Sequence, residues 1–356
     1  MVELNNGNLL TAQVEALVNT VNTEGVMGKG IALQFKQAYP AMFKSYEAAC
    51  KAKEVRLGRV HVYDLGGLVG GPKWIINFPT KGHWKSKSRL VDIKAGLEDL
   101  VAKVRELNIR SIAVPPLGCG FGGLSWADVE PLIMKAFAPL PDVDVKLFTP
   151  SGAPLATSMP NRTERPAMTK GRAALIAIMQ RYQQGLLDPF ISLLEIHKLM
   201  YFLQEAGQPL KLQYEANQFG PYAKNLRQVL IKLEGHFLQG YGDGQDSPTK
   251  PIELKEGAAE AAEPVLMEDP ALVQRMSRVS TLIEGFEDPY GLELLSSVHW
   301  VMCRSIDARE SPKMAIEMVH NWNNRKRAVL KADHLQRAWD RLKMQHWDTE
   351  SVSALH

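Results

Sequence analysis

Residues 16–31 read ALVNTVNTEGVMGKGI, and the fold prediction starts from this segment. Its first part, Leu17–Val21, is rich in β-branched residues and favours a strand, whereas a helical pattern of apolar residues begins at Gly30. Gly25 and Gly28 lie between the two and predict a tight turn. A strand, a glycine turn and a helix N-terminus bring backbone N–H groups and a positive dipole end toward an anion. The segment therefore predicts an anion-binding turn.

Strand and helix patterns alternate along the first part of the chain, up to Pro150. The strand candidates are Leu17–Val21, Arg59–Leu65, Lys73–Pro79, Ser111–Pro116 and Asp144–Thr149. The helix candidates are Gly30–Cys50, Arg89–Leu107 and Ser125–Phe137. Such alternation is typical of an α/β fold in which helices cover both faces of a mixed or parallel sheet.

A second glycine loop, residues 115–123 (PPLGCGFGG), follows the fourth strand candidate and precedes a helix that Ser125 is predicted to cap. Ligands of open α/β sheets bind at the carboxyl ends of neighbouring strands, so the two glycine loops predict a phosphate-binding cleft. Neither loop matches G-x-x-x-x-G-K-[ST] or G-x-G-x-x-G, which argues against an ordinary nucleotide hydrolase or a dehydrogenase.

A basic loop, residues 77–89 (NFPTKGHWKSKSR), leaves the third strand candidate with Trp84 among its cationic side chains. Such a loop can follow a single-stranded phosphate backbone while its aromatic ring stacks on a base, although a charge run is more often a solvated surface. Lys81 lies directly at the strand end, where side chains point into the cleft. A lysine there is a candidate phosphate ligand, nucleophile or orienting group.

Residues 150–166 (PSGAPLATSMPNRTERP) have no helical or alternating period and separate the α/β region from a mainly helical one. We predict a first domain over residues 1–155, a linker over 156–166 and a helical domain over 167–356. The helix candidates of the second region include Lys170–Leu187, Tyr222–Glu234 and Lys331–Gln345. Residues 235–263 are rich in Gly, Pro and acidic side chains, and they predict a mobile loop.

The composition is that of a globular protein, with 45% hydrophobic and 23% charged residues. Lys and Arg number 42 against 39 Asp and Glu, which argues against nucleic-acid binding by phosphate neutralisation alone. Cys50, Cys119 and Cys303 form no Cys-x-x-Cys pair, so neither a disulfide framework nor a metal or other cofactor is expected. The sequence shows no secretion signal and no apolar run of about 18 residues, which predicts a cytoplasmic protein without membrane association.

The segments GNLL, ALVNTVN, GVMGKGIALQFK and PPLGCGFGGLSW resemble, in this order, the sequence landmarks of the macrodomain family, which binds ADP-ribose. Together with NFPTKGHW they look most like the DarG branch, antitoxins related to terminal ADP-ribose glycohydrolases that use a lysine. The resemblance covers roughly residues 1–150. It implies a three-layer α/β/α sandwich with a mixed sheet, followed by a mainly α-helical, toxin-binding domain.

The resemblance also implies a set of site residues. Lys81 occupies the position of the catalytic lysine, and Asn8 stands where an aspartate usually contacts adenine. Gly122 stands where the related glycohydrolases carry an acidic residue, so their acid/base partner of the lysine is missing here. The residues implied in ADP-ribose binding are Asn8, Leu9, Asn22, Val26, Met27, Gly28, Lys29, Gly30, Ile31, Thr80, Gly118, Cys119, Gly120, Phe121 and Gly122.

Two roles of Lys81 remain open at this point. As a free amine it can attack C1″ of the ribose or open the ring to a Schiff base, and as an ammonium it can donate a proton to the leaving base. DarG-type macrodomains remove ADP-ribose from thymidine in DNA that the toxin DarT has modified. The implied partners are therefore a DarT-like ADP-ribosyltransferase, ADP-ribosylated single-stranded DNA and ADP-ribose. The DNA-contact candidates are His83, Trp84, Lys85, Lys87 and Arg89.

The pairing of KLMYFLQ (198–204) with FGPY (219–222) resembles the helical antitoxin domains of the Panacea or SocA type. Residues 243–293 carry 12 acidic and 4 basic side chains, and such a negative patch could occupy the DNA groove of a toxin. The toxin-binding candidates are Glu284, Glu287, Asp288 and Glu293. Two alternatives stay open: a non-catalytic ADP-ribose reader, and a hydrolase that acts on free ADP-ribose derivatives.

Overall fold

The structure, a computed structural model, describes residues 1–67, 71–186 and 190–348. These residues fall into two units: Met1–Glu164 together with Gly242–Gln245, and the described remainder of the chain. The predicted helix end at Leu187 and the predicted domain end at His356 lie outside the described residues.

A six-stranded sheet lies at the centre of the first unit. Its strands are β1 (Val2–Asn5), β2 (Ala16–Asn22), β3 (His61–Asp64), β4 (Trp74–Lys81), β5 (Ser111–Val114) and β6 (Asp144–Phe148). The order across the sheet is β1-β6-β5-β2-β4-β3, and all neighbours run parallel except β3 and β4. The predicted mixed sheet is therefore confirmed. The strands β2 and β4, which precede the first glycine turn and the basic loop, lie side by side.

Helices cover both faces of this sheet. They are α1 (Gly30–Ala38), α2 (Pro40–Lys51), α3 (Leu90–Glu106) and α4 (Trp126–Phe137). Because side chains alternate along a strand, Leu17 of β2 packs with Phe35 of α1 on one face, whereas Val18 packs with Ile93 of α3 on the other. The two faces give two separate apolar clusters, and the predicted three-layer sandwich is confirmed.

Three local features of the first unit differ from the sequence prediction. The edge strand β1 was not predicted, because four residues are too few to establish an alternating pattern. The single predicted helix over Gly30–Cys50 is two helices, since Tyr39 is non-helical and Pro40 starts the second one. Ser125 lies at the N-cap of α4 as predicted, but its side chain makes no capping hydrogen bond.

The second unit is mainly helical, as predicted. Its helices are α5 (Lys170–Gln184), α6 (Leu193–Glu205), α7 (Leu226–Leu233), α8 (Ala258–Met267), α9 (Pro270–Ile283), α10 (Pro289–Met302), α11 (Ile306–Glu310), α12 (Pro312–Trp322), α13 (Asn324–Val329) and α14 (Ala332–Met344). Helices α6 and α10 are buried along most of their length and form the centre of one apolar cluster. Within the described ranges, no helix combines the length and the hydrophobicity that crossing a bilayer requires.

The prediction of a mobile loop over residues 235–263 is wrong. Short strands β10 (Leu238–Gln239) and β11 (Pro251–Leu254) form an antiparallel sheet with β7 (Ile191–Ser192), and α8 follows directly. The strands are too short to stand out between the glycines and prolines. The predicted start of a helix at Tyr222 is wrong as well, because β8 (Tyr214–Asn217) and β9 (Gly220–Ala223) form a hairpin there.

Substitution of Gly96 tests the packing of α3 on β4. A Cβ atom on Gly96 would lie 2.4 Å from Cζ of Phe78, a fully buried residue of β4. Overpacking of this kind costs about 1–3 kcal/mol, more than the roughly 1 kcal/mol that alanine gains over glycine in a helix. We therefore expect Gly96→Ala to lower the free energy of unfolding of the first unit in urea denaturation.

The matched control is Gly171→Ala in α5, where a new Cβ would meet no atom within 4 Å. This variant should keep or slightly raise the stability of the second unit. A Gly96→Ala protein as stable as the parent would show that α3 can move away from the sheet without cost.

Candidate active site

The carboxyl ends of β2 and β4 bring Asn22 and Lys81 together. The two strands pair in register from Ala16 with Trp74 to Val21 with Pro79, and the register then shifts so that Asn22 is opposite Lys81. Asn22 is buried and Lys81 is half-buried. The residue that the sequence singled out as the candidate catalytic lysine therefore lies beside the residue that ends the VNTVN strand.

The amine of Lys81 points toward the second glycine loop. Its Nζ donates a hydrogen bond to the carbonyl oxygen of Phe121 at 3.3 Å. Burial lowers the pKa of Lys81, because water that would solvate the ammonium is partly excluded. The free-amine form is thus more accessible to this lysine than to an ordinary surface lysine.

Asn22 organises the first glycine turn. Its Oδ1 accepts hydrogen bonds from the backbone N–H groups of Glu24 at 2.9 Å and Val26 at 3.3 Å, and its Nδ2 donates to the carbonyl of Val26 at 2.6 Å. The hydroxyl of Tyr46, on α2, donates to the backbone carbonyl of Asn22 at 2.5 Å. The side chain implied in ribose binding therefore also holds the loop that follows it.

The two glycine loops meet at Gly30 and Phe121. Gly30 has a φ of +60°, and a Cβ there would lie 3.1 Å from the ring of Phe121. Helix α1 begins at Gly30, so the positive end of its dipole lies at this junction. Phe121 itself is 57% exposed and is free to contact a ligand above the loops. The Gly30 N–H already donates to the carbonyl of Asp243 at 2.8 Å, so an anionic ligand at this junction would lie near both loops and near Lys81 without using that N–H.

Gly122 has no room for a side chain. A Cβ there would lie 2.3 Å from Oγ of Ser88 and 2.4 Å from the carbonyl oxygen of Gly118. The backbone N–H of Ser88 donates to the carbonyl of Gly122 at 2.9 Å, which fixes the two segments against each other. A carboxylate side chain therefore cannot be placed at this position on this backbone.

The basic loop presents an exposed aromatic and cationic surface next to Lys81. The rings of His83 and Trp84 stack with centroids 5.4 Å apart, and Nζ of Lys85 lies 4.9 Å from the Trp84 ring. Trp84 is 48% exposed, and Lys87 is exposed as well. Arg89, another of the five DNA-contact candidates, already forms an ion pair with Asp92 at 2.8 Å.

The remaining residues implied in ADP-ribose binding have mixed environments. Asn8 uses Oδ1 to cap the Leu10 N–H at 3.0 Å and Nδ2 to bind the carbonyl of Ser158 at 2.7 Å. Burial raises the pKa of the Cys119 thiol to about 11, so this cysteine is uncharged at neutral pH. Leu9, Met27 and Thr80 are buried, Val26 and Gly120 are exposed, and Gly28, Lys29 and Ile31 are half-buried.

Ser88 and Tyr46 were not singled out by the sequence. Ser88 is buried between exposed residues of a basic run, and no one-dimensional pattern marks such a position. Tyr46 appears only as one apolar residue in a helical stripe. Both act on the site through contacts with residues far away in sequence.

In the second unit, the toxin-binding candidates separate into exposed and buried residues. The side chain of Glu284 is 68% exposed and pairs with Arg341 at 3.2 Å. Glu287 accepts from the N–H of Gly285 at 2.6 Å, and Asp288 caps α10 through the N–H of Gly291 at 2.7 Å. All three lie in the turn before α10.

Glu293 is a correction to this set. It is only 2% exposed, and its Oε1 accepts from Nζ of Lys326 at 2.8 Å and from Arg325 at 2.7 Å. A buried carboxylate needs such partners, because its charge is otherwise costly to remove from water. Glu293 is therefore part of the interior and not of an exposed acidic surface.

The KLMYFLQ and FGPY segments meet in the interior of the second unit. His197 stacks on Tyr222 with ring centroids 4.3 Å apart, and the buried Lys198 donates to the carbonyl of Pro221 at 2.8 Å. Burial and the neighbouring Lys326 lower the pKa of Lys198 to about 7. The pairing of the two segments thus seats the β8–β9 hairpin on α6.

Comparison with known proteins identifies the family of this chain. The Macro domain family matches residues 18–133. A DNA ADP-ribosyl glycohydrolase of Mycobacterium tuberculosis (strain ATCC 25618 / H37Rv) is 46% identical over 356 residues, covering 97% of this chain and 99% of that protein. One from Thermus aquaticus (strain ATCC BAA-2747 / Y51MC23) is 46% identical over 342 residues, covering 96% and 93%. A DNA ADP-ribosyl transferase-DNA ADP-ribosyl glycohydrolase fusion protein of Thermosipho africanus (strain H17ap60334) is 35% identical over 158 residues, covering 40% of each chain.

The resemblance to DarG-type macrodomain proteins is confirmed, because two relatives are similar along nearly the whole chain. The chain therefore belongs to the DNA ADP-ribosyl glycohydrolase family.

Proposed function

We propose that this chain hydrolyses the glycosidic bond between ADP-ribose and thymidine in single-stranded DNA, and that it acts as the antitoxin of a DarT-like ADP-ribosyltransferase. The observation that carries the proposal is the position of Lys81, half-buried at the junction of two glycine loops. Its family membership supports the reaction, and the transferase–glycohydrolase fusion of Thermosipho africanus supports the pairing with a transferase.

Lys81 acts as a nucleophile in this proposal. Its neutral amine attacks C1″ while the bond from C1″ to thymine breaks, and the thymine leaves as an anion. The new secondary ammonium gives its proton to that anion, so the base departs neutral. Water then displaces the lysine nitrogen at C1″: the C1″–N bond breaks, a C1″–OH bond forms, and the remaining proton of the water goes to the nitrogen, which restores the amine and releases ADP-ribose. The sum is hydrolysis, with one water consumed.

The same lysine supplies both the nucleophile and the proton in this sequence. The reaction therefore needs no separate acid/base group at position 122, where contacts with Ser88 and Gly118 leave no room for a carboxylate. The lowered pKa of Lys81 favours the neutral form that the first step requires. Of the two roles that the sequence left open, we therefore propose the free amine.

The basic loop binds the DNA strand in this proposal. Trp84 and His83 offer a stacked aromatic surface for a base, and Lys85 and Lys87 are exposed cations that suit the phosphate backbone. Because Lys81 belongs to the same segment and lies two residues before His83, a strand bound there keeps its modified nucleotide close to the amine.

Removal of the Lys81 amine tests the reaction. We expect Lys81→Ala to abolish release of ADP-ribose from a single-stranded oligonucleotide carrying thymidine-linked ADP-ribose, read by mass spectrometry. The loss should be at least about 100-fold, as for other groups that act in proton transfer or covalent catalysis. Lys135→Ala, which removes an exposed lysine of α4, is the matched control and should keep full activity.

Three outcomes would contradict the proposal. Full activity of Lys81→Ala would show that the lysine is a spectator. No turnover by the parent protein, with ADP-ribose still bound, would identify a reader. Turnover of free ADP-ribose derivatives but not of the modified oligonucleotide would identify a hydrolase of small molecules.

The pH dependence distinguishes the two roles of Lys81. If the free amine attacks, single-turnover cleavage should rise with pH and level off above the pKa of Lys81. Because burial lowers this pKa, the rise should be centred below the value of about 10.4 that is ordinary for lysine. A rate that falls over the same range would instead assign Lys81 as the proton donor.

For the second unit we propose that an acidic surface, formed by the exposed Glu284 and Asp288 and the half-buried Glu287, contacts the DNA-binding groove of the toxin. These carboxylates lie in the one turn between α9 and α10 and could take the place of backbone phosphates. The resemblance of the KLMYFLQ and FGPY segments to helical antitoxin domains supports an antitoxin role for the second unit as a whole. Electrostatic complementarity of this kind raises association rates and selects the partner.

Neutralising this surface tests the proposal. The triple variant Glu284→Gln, Glu287→Gln, Asp288→Asn keeps a capping side chain at position 288. Exposed charge pairs contribute roughly 0.2–1 kcal/mol each, so affinity for a cognate DarT-like transferase should fall by about 3- to 100-fold in low-salt calorimetry. The difference should shrink at high ionic strength.

Glu310→Gln, which neutralises an exposed carboxylate of α11, is the control and should bind normally. Unchanged binding by the triple variant would place the toxin contact on another surface of the second unit.

A further inference from the structure

Lys81 reaches its position through one extra residue in β4. Val21 pairs with Pro79 and Asn22 pairs with Lys81, so Thr80 has no counterpart on β2. Without this shift, Thr80 would be opposite Asn22, and Lys81 would lie one residue further along the strand. Extra residues of this kind bend a strand and re-aim side chains, and they are frequent beside active sites. Pro79, which has no backbone N–H, occupies the place where the regular ladder ends.

The extra residue is held by its own side chain. Thr80 is only 4% exposed, and its hydroxyl donates to the carbonyl of Val21 at 3.3 Å. That carbonyl lies at the point where the regular pairing of the strands breaks. A buried carbonyl without a partner is costly, so the hydroxyl stabilises the irregular pairing.

A second contact holds the chain on the other side of Lys81. The backbone N–H and the hydroxyl of Thr23 both lie 3.0 Å from the carbonyl oxygen of Gly82. Lys81 is therefore flanked by two threonine contacts between the same two segments, one before it and one after it. Its backbone is fixed at both neighbours, and only the side chain is left to move.

We propose that Thr80 is a positioning residue for Lys81: its hydroxyl holds the irregular β2–β4 pairing that places the amine against the carbonyl of Phe121. The sequence resemblance implied Thr80 in ADP-ribose binding, but the hydroxyl is turned into the sheet toward Val21. Thr23, which directly follows β2, holds the residue after Lys81 through its contacts with the carbonyl of Gly82. The inference rests on the proposed role of Lys81 as the reacting amine.

The test compares Thr80→Val, which keeps the shape but loses the hydroxyl, with Thr80→Ser, which keeps the hydroxyl. All variants are made in the full-length protein. Steady-state cleavage of the ADP-ribosylated oligonucleotide gives kcat and KM. In parallel, labelling of Lys81 with an amine-reactive acetylating reagent across pH, read by peptide mass spectrometry, gives its apparent pKa without any need for turnover.

We expect Thr80→Val to lower kcat by about 10- to 100-fold, because a displacement of about 1 Å can cost about 100-fold in rate. KM should stay within about 2-fold of the parent value, because the glycine loops are unchanged. A loss of ligand contacts would not give this combination of a lowered kcat and an unchanged KM. The labelling curve of Lys81 should move to higher pH, because a displaced amine is less shielded from water. Thr80→Ser should restore both readouts to within about 3-fold.

Thr163→Val is the matched control, because it removes a hydroxyl that bonds Asn161 at 2.6 Å, outside the sheet. It should leave kcat and the Lys81 labelling curve unchanged. Thermal unfolding of every variant separates loss of fold from loss of positioning.

Thr80→Val with parental kcat and a parental labelling curve would overturn the inference. A rise of KM as large as the fall expected in kcat, with an unchanged labelling curve of Lys81, would also overturn it. That result would assign Thr80 to ligand binding. If Lys81→Ala proves active, the proposed reaction fails, but the labelling curves still decide whether Thr80 positions the amine. If Thr80→Val unfolds, kcat and the Lys81 labelling curve are measured on Thr80→Ser and Thr23→Val instead. The Thr23→Val variant keeps the backbone contact of residue 23.

Discussion

The parallel pairing of β2 with β4 is the interaction on which the rest of the site depends. Both strands are covered on both faces, and in the middle of the pair Asn19 donates to Asn77 at 2.9 Å. Both amides are fully buried, so separating them would leave polar groups without partners in an apolar core. A slip of one residue would also turn every side chain to the opposite face. The amide pair therefore fixes the register, and the fixed register delivers Asn22 and Lys81 to the same edge.

Much of the first unit could be predicted, because its strands and glycine loops are local patterns. The sequence marked Lys81 for the same reason, as a lysine at a strand end before a basic loop. The features that the sequence could not show depend on contacts between residues that are far apart in sequence. Ser88 against Gly122 is one such contact, and Glu293 against Lys326 is another. From the sequence alone, a carboxylate in an acidic run such as Glu293 is predicted to be exposed. Only the fold shows that a lysine packs against it.

The helical unit uses buried charge to fix its interior. Lys326 is fully buried and donates to Glu293 and to Ser297, both at 2.8 Å, while Lys198 donates to the carbonyl of Pro221. Such networks contribute little net stability compared with apolar packing, but breaking one partner leaves a buried charge and is costly. The KLMYFLQ and FGPY segments, which resemble those of helical antitoxin domains, therefore have a structural role here. They fasten the β8–β9 hairpin to α6.

The crowding at Gly122 has a consequence for how such sites can diverge. A mutation that gives position 122 a carboxylate collides at once with Ser88 and with the backbone of Gly118. Shortening Ser88 removes only the first of the two collisions, so the loop itself must adopt another path before the new side chain can be accommodated. A carboxylate at position 122 therefore cannot be introduced into this loop by a single substitution.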